Sequence, residues 1–288
     1  MTIIPQDLII HKANKALKEK MDKTIIKEKV LFEKETDFHS ISVVENKIGR
    51  FLKYEDTYQA GYINAKGYQG NLPYINYFLI PYLMNKNIKN ILLVGFGSGI
   101  LVNQYEKIFE SIENIDIIDI EEYIFPLAQK YFNYQISDIS NFYLQDALIY
   151  LKTVKKKYDL IVVDVAGNEG IDERFCEIEY LNLIKKCLKK DGIFVSNMPS
   201  SRDIFNKKNT FVLNLIEKYK TVFNNIDLYN GETSNKVYYK EFFDIDDVVL
   251  DVTNLIIISS NKRYNLSKNY KPLKEIKVNI EEYLNDKL

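Results

Sequence analysis

The stretch from Asn90 to Glu122 constrains the fold more than any other part of the chain. An apolar run, Ile91-Leu92-Leu93-Val94, enters Gly95-Phe96-Gly97-Ser98-Gly99, a helical pattern follows, and a second run, Ile115-Asp116-Ile117-Ile118, ends at Asp119. A short strand that is apolar throughout has to be covered on both faces, which is the state of a parallel strand inside a sheet. Glycines beyond it let the backbone turn sharply and approach a ligand closely. Asp119 follows Gly99 by twenty residues, where a strand-turn-helix unit places the acid that holds a ribose. The stretch therefore predicts a nucleoside seated over Gly95, Gly97, Ser98 and Gly99, with Asp119 on its sugar. The plain alternative is a tight turn followed by a surface acid.

The same period continues down the chain. Helical patterns cover 121–132, 147–153, 175–188 and 209–223, and the apolar runs Phe142-Tyr143-Leu144, Leu160-Ile161-Val162-Val163 and Ile193-Phe194-Val195 alternate with them. Asp191-Gly192 reads as a turn, and residues 254–259 as a last, antiparallel strand at the sheet edge. Strands alternating with helices imply a parallel sheet wrapped on both faces, with ligands beyond the carboxyl ends of the strands. Before this region, Ser40-Ile41-Ser42-Val43-Val44 and Arg50-Phe51-Leu52-Lys53-Tyr54 flank Asn46-Lys47-Ile48-Gly49 and read as antiparallel hairpins. Residues 74–84 form an aromatic helix candidate. Residues 6–28 carry Leu8, Ile9, Ala13, Ala16, Leu17, Met21 and Ile25 at helical spacing, the pattern of an amphipathic helix. The division expected is an N-terminal helix over 1–29, a β-hairpin unit over 30–75, a nucleoside-binding domain over 76–262, and a polar tail over 263–288 with a short helix at 280–284.

Three acids, Asp119, Asp146 and Asp164, close three successive strands, so the fold would gather them at one crevice. Asp119 suits a pair of ribose hydroxyls. Asp146 could accept from an adenine amine, or could simply cap the helix that starts at Ala147. Asp164, next to the loop from Val165 to Glu173, could take a proton from an incoming nucleophile, or could anchor that loop.

Composition narrows the function. Thirty-nine Lys and Arg against 40 Asp and Glu leave no electrostatic footprint for general nucleic-acid binding or an anionic membrane. No apolar stretch reaches the roughly 18 residues of a membrane span, and no signal-peptide core opens the chain. Cys176 and Cys187 lack a pairing motif, and a reduced state in the cytoplasm is expected. Neither they nor the isolated His11 and His39 suggest a metal site.

With these residues in place, the chain resembles the spermidine synthase family of polyamine aminopropyltransferases over about residues 30–260. The matching stretches are Val30-Leu31-Phe32-Glu33, Gly49-Arg50-Phe51-Leu52, Gln59 with Tyr68 nine residues later, Asp119-Ile120-Glu121, Leu127-Ala128-Gln129-Lys130-Tyr131-Phe132, Asp146-Ala147, Tyr158 to Asp164, and Asp191-Gly192-Ile193. The resemblance implies a class I methyltransferase-like, Rossmann-like α/β fold with a mostly parallel sheet, a small N-terminal antiparallel β appendage and an N-terminal helix. It also implies a homodimer. It assigns Asp164 and Tyr68 to catalysis, and Gln59, Gly95, Gly97, Ser98, Gly99, Asp119, Ile120, Asp146 and Ala147 to the adenosyl sulfonium donor.

The chain departs from the family where the family holds cationic amines. The aspartate of the glycine loop is Ser98, the Tyr-His-Glu triplet is Tyr68-Gln69-Gly70, an upstream acid is Asn64, and the second aspartate of the catalytic loop is Gly167. Leaving two ammonium groups without counter-charges in a closed site costs a few kcal/mol each, which disfavours putrescine. Glu55, Asp56, Glu169, Asp172 or Glu173 could supply replacements. The function expected is transfer of an aminopropyl or 3-amino-3-carboxypropyl group from decarboxylated or intact S-adenosylmethionine to another small molecule or a modified peptide or nucleotide, releasing methylthioadenosine. Two alternatives are an S-adenosylmethionine-dependent methyltransferase and a silent nucleoside-binding scaffold.

Overall fold

The computed structural model describes residues 27–288 apart from 56, 66, 67, 71, 166–172, 202–209, 232, 235–251 and 277; the side chains of 64–70, 173, 199–201, 210, 252 and 253 are also outside the description. The expected N-terminal helix, most of the loop after Asp164, and the substitute acids Asp56, Glu169 and Asp172 lie outside the described residues.

Five antiparallel strands form the first sheet in simple meander order: β1 (Lys29–Glu35), β2 (Ser40–Asn46), β3 (Gly49–Tyr54), β4 (Thr57–Ala65) and β5 (Tyr68–Gly70). The turn between β2 and β3 falls at Asn46 to Gly49, as its residue types predict. A 3-10 segment (Pro73–Leu79) and α1 (Ile80–Met84) then lead into β6 (Asn90–Val94). From there strands and helices alternate as α2 (Ile100–Ile108), β7 (Asn114–Asp119), α3 (Ile124–Tyr131), β8 (Ser140–Leu144), α4 (Ala147–Thr153) and β9 (Tyr158–Val163). After the 3-10 turn Glu173–Cys176 come α5 (Ile178–Cys187), β10 (Leu188–Ser201), α6 (Thr210–Val222), β11 (Asn225–Asn230), β12 (Val252–Ser260), α7 (Lys271–Glu275) and α8 (Ile280–Leu284).

The second sheet has the order β11-β12-β10-β9-β6-β7-β8. Pairs from β10 through β8 are parallel, and β12 is antiparallel to both its neighbours. This is a class I methyltransferase-like α/β fold, with a separate antiparallel sheet before it. The all-apolar strands are explained by alternation across two cores. Ile91, Leu93, Ile115, Ile117, Leu160 and Val162 face one, beside α1, α2 and α3. Leu92, Val94, Ile118, Ile161 and Val163 face the other, beside α4, α5 and α6.

Three expectations need correction. β12 is internal, because β11, a half-buried Asn-Ile-Asp-Leu-Tyr-Asn strand with little apolar signal, takes the edge. Asp191-Gly192 does not break the chain between helix and strand; β10 starts at Leu188 and runs through both, with a register shift in its pairing to β9. The helix at Ile280–Leu284 is present, but the region around it is no detached polar tail: Leu273, Val278, Ile280 and Tyr283 are buried in the first core.

The small sheet is fastened to the large one at several points. Arg50 Nη1 donates to the carbonyl of Tyr131 at 2.8 Å, and the Tyr131 hydroxyl donates to that of Leu31 at 3.1 Å. A Cβ on Gly97 would meet the Ala60 methyl at 3.2 Å, so β4 lies against the glycine turn.

Candidate active site

Chain direction reverses about β6: β7 and β8 continue to one side, and β9 returns on the other. A crevice forms at such a switch point, beyond the carboxyl ends of the strands. The strand ends are locked together there. The Gly95 amide donates to Ile118, that of Asp164 to Val94, and that of Gln145 to Asp119, each at 2.9 Å. Asp164 and Asp119 close strands on either side of β6, so their backbones stand about 10 Å apart.

The glycine turn has a left-handed backbone at Gly95, Gly97 and Gly99, with φ of 91°, 57° and 73°. At Gly95 a Cβ would lie 2.1 Å from the Asp164 carbonyl oxygen, and at Gly99 2.7 Å from the Tyr134 ring. These two glycines are required by the protein's own packing, whatever ligand the turn also approaches. Phe96, between them, packs on Phe125, Tyr134 and Phe142. Ser98 is 1% exposed, and its hydroxyl has no hydrogen-bond partner among the described residues.

Asp119 is half-buried at the end of β7. One carboxylate oxygen accepts the Phe96 amide at 2.9 Å and the other the Glu121 amide at 3.0 Å. Desolvation pushes its carboxyl above the ordinary range, against the pull of these backbone donors. Each oxygen keeps a lone pair that a ribose hydroxyl can use. Ile120, beside it, is exposed.

Asp146 caps α4. Its Oδ1 accepts the amides of Leu148 at 2.8 Å and Ile149 at 3.1 Å, and Arg174 reaches its Oδ2 at 3.2 Å. Ala147 is buried as the first residue of the helix.

Asp164 is held on both oxygens. The Tyr74 hydroxyl donates to Oδ2 and the Asn197 amide to Oδ1, both at 2.9 Å. Desolvation raises this carboxyl too, opposed by Asn197 and then Tyr74. Burial, then the charge of Asp164, raises the Tyr74 phenol well above its ordinary value, so Tyr74 is a neutral donor. The Asn197 amide oxygen is buried and unpartnered. The arrangement can keep a carboxylate ready to take a proton from a nucleophile.

Gln59 is half-buried on β4, with its carbonyl 3.4 Å from the Tyr74 hydroxyl. Tyr68 pairs with Ala65 on β5, and its side chain is outside the description. The tyrosine that meets Asp164 is Tyr74, which sequence reasoning took for part of an apolar helix. Asn197 also escaped notice, although a polar residue just past Ile193-Phe194-Val195 repeats the pattern that marked the acids. Among the described residues no group of three or more His, Cys, Asp or Glu could hold a metal, and no helix is long and apolar enough to cross a membrane.

Fold and crevice together define a class I methyltransferase-like protein. The crystal structure of human methyltransferase-like protein 13 with SAH superposes with a TM-score of 0.50, at 19% identity over 74% of this chain and 88% of that one. A crystal structure of spermidine synthase in complex with the transition state analogue AdoDATO superposes better, with a TM-score of 0.69 at 17% identity over 91% and 86%. The polyamine aminopropyltransferase of Buchnera aphidicola subsp. Acyrthosiphon pisum is 25% identical over 265 residues, 85% of this chain and 89% of the relative. The spermine/spermidine synthase domain model matches residues 78–233. The chain belongs to the spermine/spermidine synthase family and is a transferase.

Proposed function

We propose that the chain moves an aminopropyl or 3-amino-3-carboxypropyl group from an adenosyl sulfonium to an acceptor other than putrescine, releasing methylthioadenosine. The observation that carries this reading is Asp164, desolvated and held between Tyr74 and Asn197 at the switch point. The nucleophile's lone pair attacks the alkyl carbon on sulfur, the carbon–sulfur electrons return to sulfur as a neutral thioether, and the nucleophile's proton passes to Asp164. Asp119, Ile120, Gln59 and the glycine turn hold the nucleoside beside it, Asp146 and Ala147 lie at its far edge, and Tyr68 joins Asp164 at the reacting end.

Ser98 supports intact S-adenosylmethionine as donor. Its buried, unpartnered hydroxyl stands where the family has an aspartate, so a carboxylate on the donor meets a hydrogen-bond donor and no repelling charge. Gly70 and Gly167 stand where the family has acids and Gln69 where it has a histidine, which supports an acceptor other than a diamine. The relatives are named polyamine aminopropyltransferases, which supports a small-molecule acceptor; a homodimer and a cytoplasmic location are part of the same proposal.

Incubation with labelled intact and decarboxylated donor tests this directly. Methylthioadenosine as the released nucleoside is expected. S-adenosylhomocysteine would replace the reading with methyl transfer, and efficient turnover of putrescine would overturn the argument from the missing acids. Asp164→Asn is expected to lower turnover by about 100-fold or more while donor affinity, measured by calorimetry, stays within a few-fold.

A further inference from the structure

The β1–β2 turn reaches across to the ribose acid through one hydroxyl. Thr36 Oγ1 accepts the amides of Phe38 at 3.2 Å and His39 at 3.0 Å. Its one proton has two acceptors in reach, the His39 carbonyl at 3.0 Å within the turn and Glu121 Oε2 at 2.7 Å across the sheets, and the shorter contact to the charged oxygen is the stronger. Glu121 is 1% exposed, and its other oxygen accepts the Tyr123 amide at 3.2 Å. The Glu121 backbone amide in turn donates to Asp119 Oδ1. The same turn is braced from β3, where the Tyr54 ring stacks on His39 at 4.0 Å and 6°. Burial raises the Tyr54 phenol, with further contributions from Asp119, Glu121 and Glu55.

We infer that Thr36 and Glu121 are positioning residues that make docking of the small sheet and orientation of Asp119 one event. A buried carboxylate cannot be left without donors. When the β1–β2 turn lifts away, Glu121 loses its hydroxyl partner and must turn or take up water. The backbone that carries it is also the backbone that fixes Asp119. Ribose binding to Asp119 therefore favours the docked turn, and the docked turn favours ribose binding, since such coupling is reciprocal. This gives the antiparallel sheet a role in donor binding through residues that do not touch the donor. It rests on Asp119 holding the ribose.

The test uses the full chain and methylthioadenosine, which carries the ribose without a reacting tail. Thr36→Val, which keeps the shape and removes the hydroxyl, is expected to weaken binding about five-fold or more, a fraction of what one hydrogen bond to a charged group contributes. Thr36→Ser is expected to restore it. Hydrogen exchange at Glu35 to Ser40 should slow on adding methylthioadenosine to the wild type and respond less in Thr36→Val. Wild-type affinity in Thr36→Val, or exchange at the turn indifferent to ligand, overturns the inference. Asp119→Ala separates the layers. If it loses binding while Thr36→Val does not, only the clasp falls; if it too binds normally, the ribose assignment falls with it. Should Thr36→Val not fold, Glu121→Gln takes its place: weakened binding in a folded protein supports the clasp, and unchanged binding removes it.

Discussion

Asp164 shows how burial sets both the chemistry and its cost. Its carboxyl is raised by desolvation, so the carboxylate form needed as a base is lost, on acidification, at a higher pH than for an ordinary aspartate. The acid limb of kcat/KM is expected above the usual carboxylate range near pH 4. Tyr74 favours the charged form through its hydrogen bond, so Tyr74→Phe should move that limb further up; a limb that stays in place or moves down would separate Tyr74 from the base. Linkage gives the stability side. The folded state binds this proton more tightly than the unfolded chain, so the group's contribution is full below about pH 4 and is lost as pH rises through the folded value. At neutral pH the buried ion therefore costs stability. Asp164→Asn should melt above the wild type at pH 7, with the gap closing toward pH 4. Asn197 can turn its unpartnered amide oxygen toward the new amide. A lower melting temperature at pH 7 would show that the two hydrogen bonds outweigh desolvation.

The glycine turn joins β6 to β9 as well as to any ligand. A methyl on Gly95 would strike the Asp164 carbonyl at 2.1 Å, on a backbone with φ of 91°. Gly97, with φ of 57°, would meet only the Ala60 methyl at 3.2 Å. Gly97→Ala is expected to cost about 1–2 kcal/mol, the left-handed penalty alone, whereas Gly95→Ala should cost about 3 kcal/mol or more and displace Asp164. Denaturant melts check the order, and similar losses would contradict it. This element was legible in sequence because β6, β7 and β9 end at a glycine or an acid, and helices 147–153 and 280–284 carried their own boundaries. Partnerships across the chain left no such trace. Nothing local marks Tyr74 as the residue that meets Asp164, since its hydroxyl sits in an apolar aromatic run 90 residues earlier. β11 is half-buried at five of its six positions, without alternation, so its position outside β12 follows only from sheet order. Asp116, the one acid inside the run at 115–118, is fully buried by pairing with Tyr158 at 2.8 Å and Lys156 at 2.7 Å, both supplied from beyond β8.

At the scale of the whole molecule the chain closes on itself, and the closure lies behind Asp164. The 3-10 segment that presents Tyr74 is backed by residues 283–286. Asn76 donates to the Tyr283 hydroxyl at 2.8 Å, Tyr77 stands edge-on to the Tyr283 ring at 4.9 Å, and the Tyr77 hydroxyl bonds to Asp286. Asp286 also accepts from the amide and the hydroxyl of Thr233, both at 2.9 Å, and Leu288 donates to the Leu228 carbonyl at 2.9 Å on β11. The C-terminal region thus ties the edge of the large sheet to the segment that orients Asp164. Tyr283→Phe would leave the buried Asn76 amide short of an acceptor, at about 1–3 kcal/mol, and Tyr283→Ala would add a cavity, for a total of about 3–5 kcal/mol. With the donor on β6, β7 and the glycine turn as proposed, Tyr283→Phe should lower kcat by loosening Tyr74 while methylthioadenosine affinity stays within a few-fold. Calorimetry and single-turnover rates on the folded variant make the comparison, and an equal loss of affinity and rate would mean that the tail supports the sheet as a whole and not the Tyr74 segment.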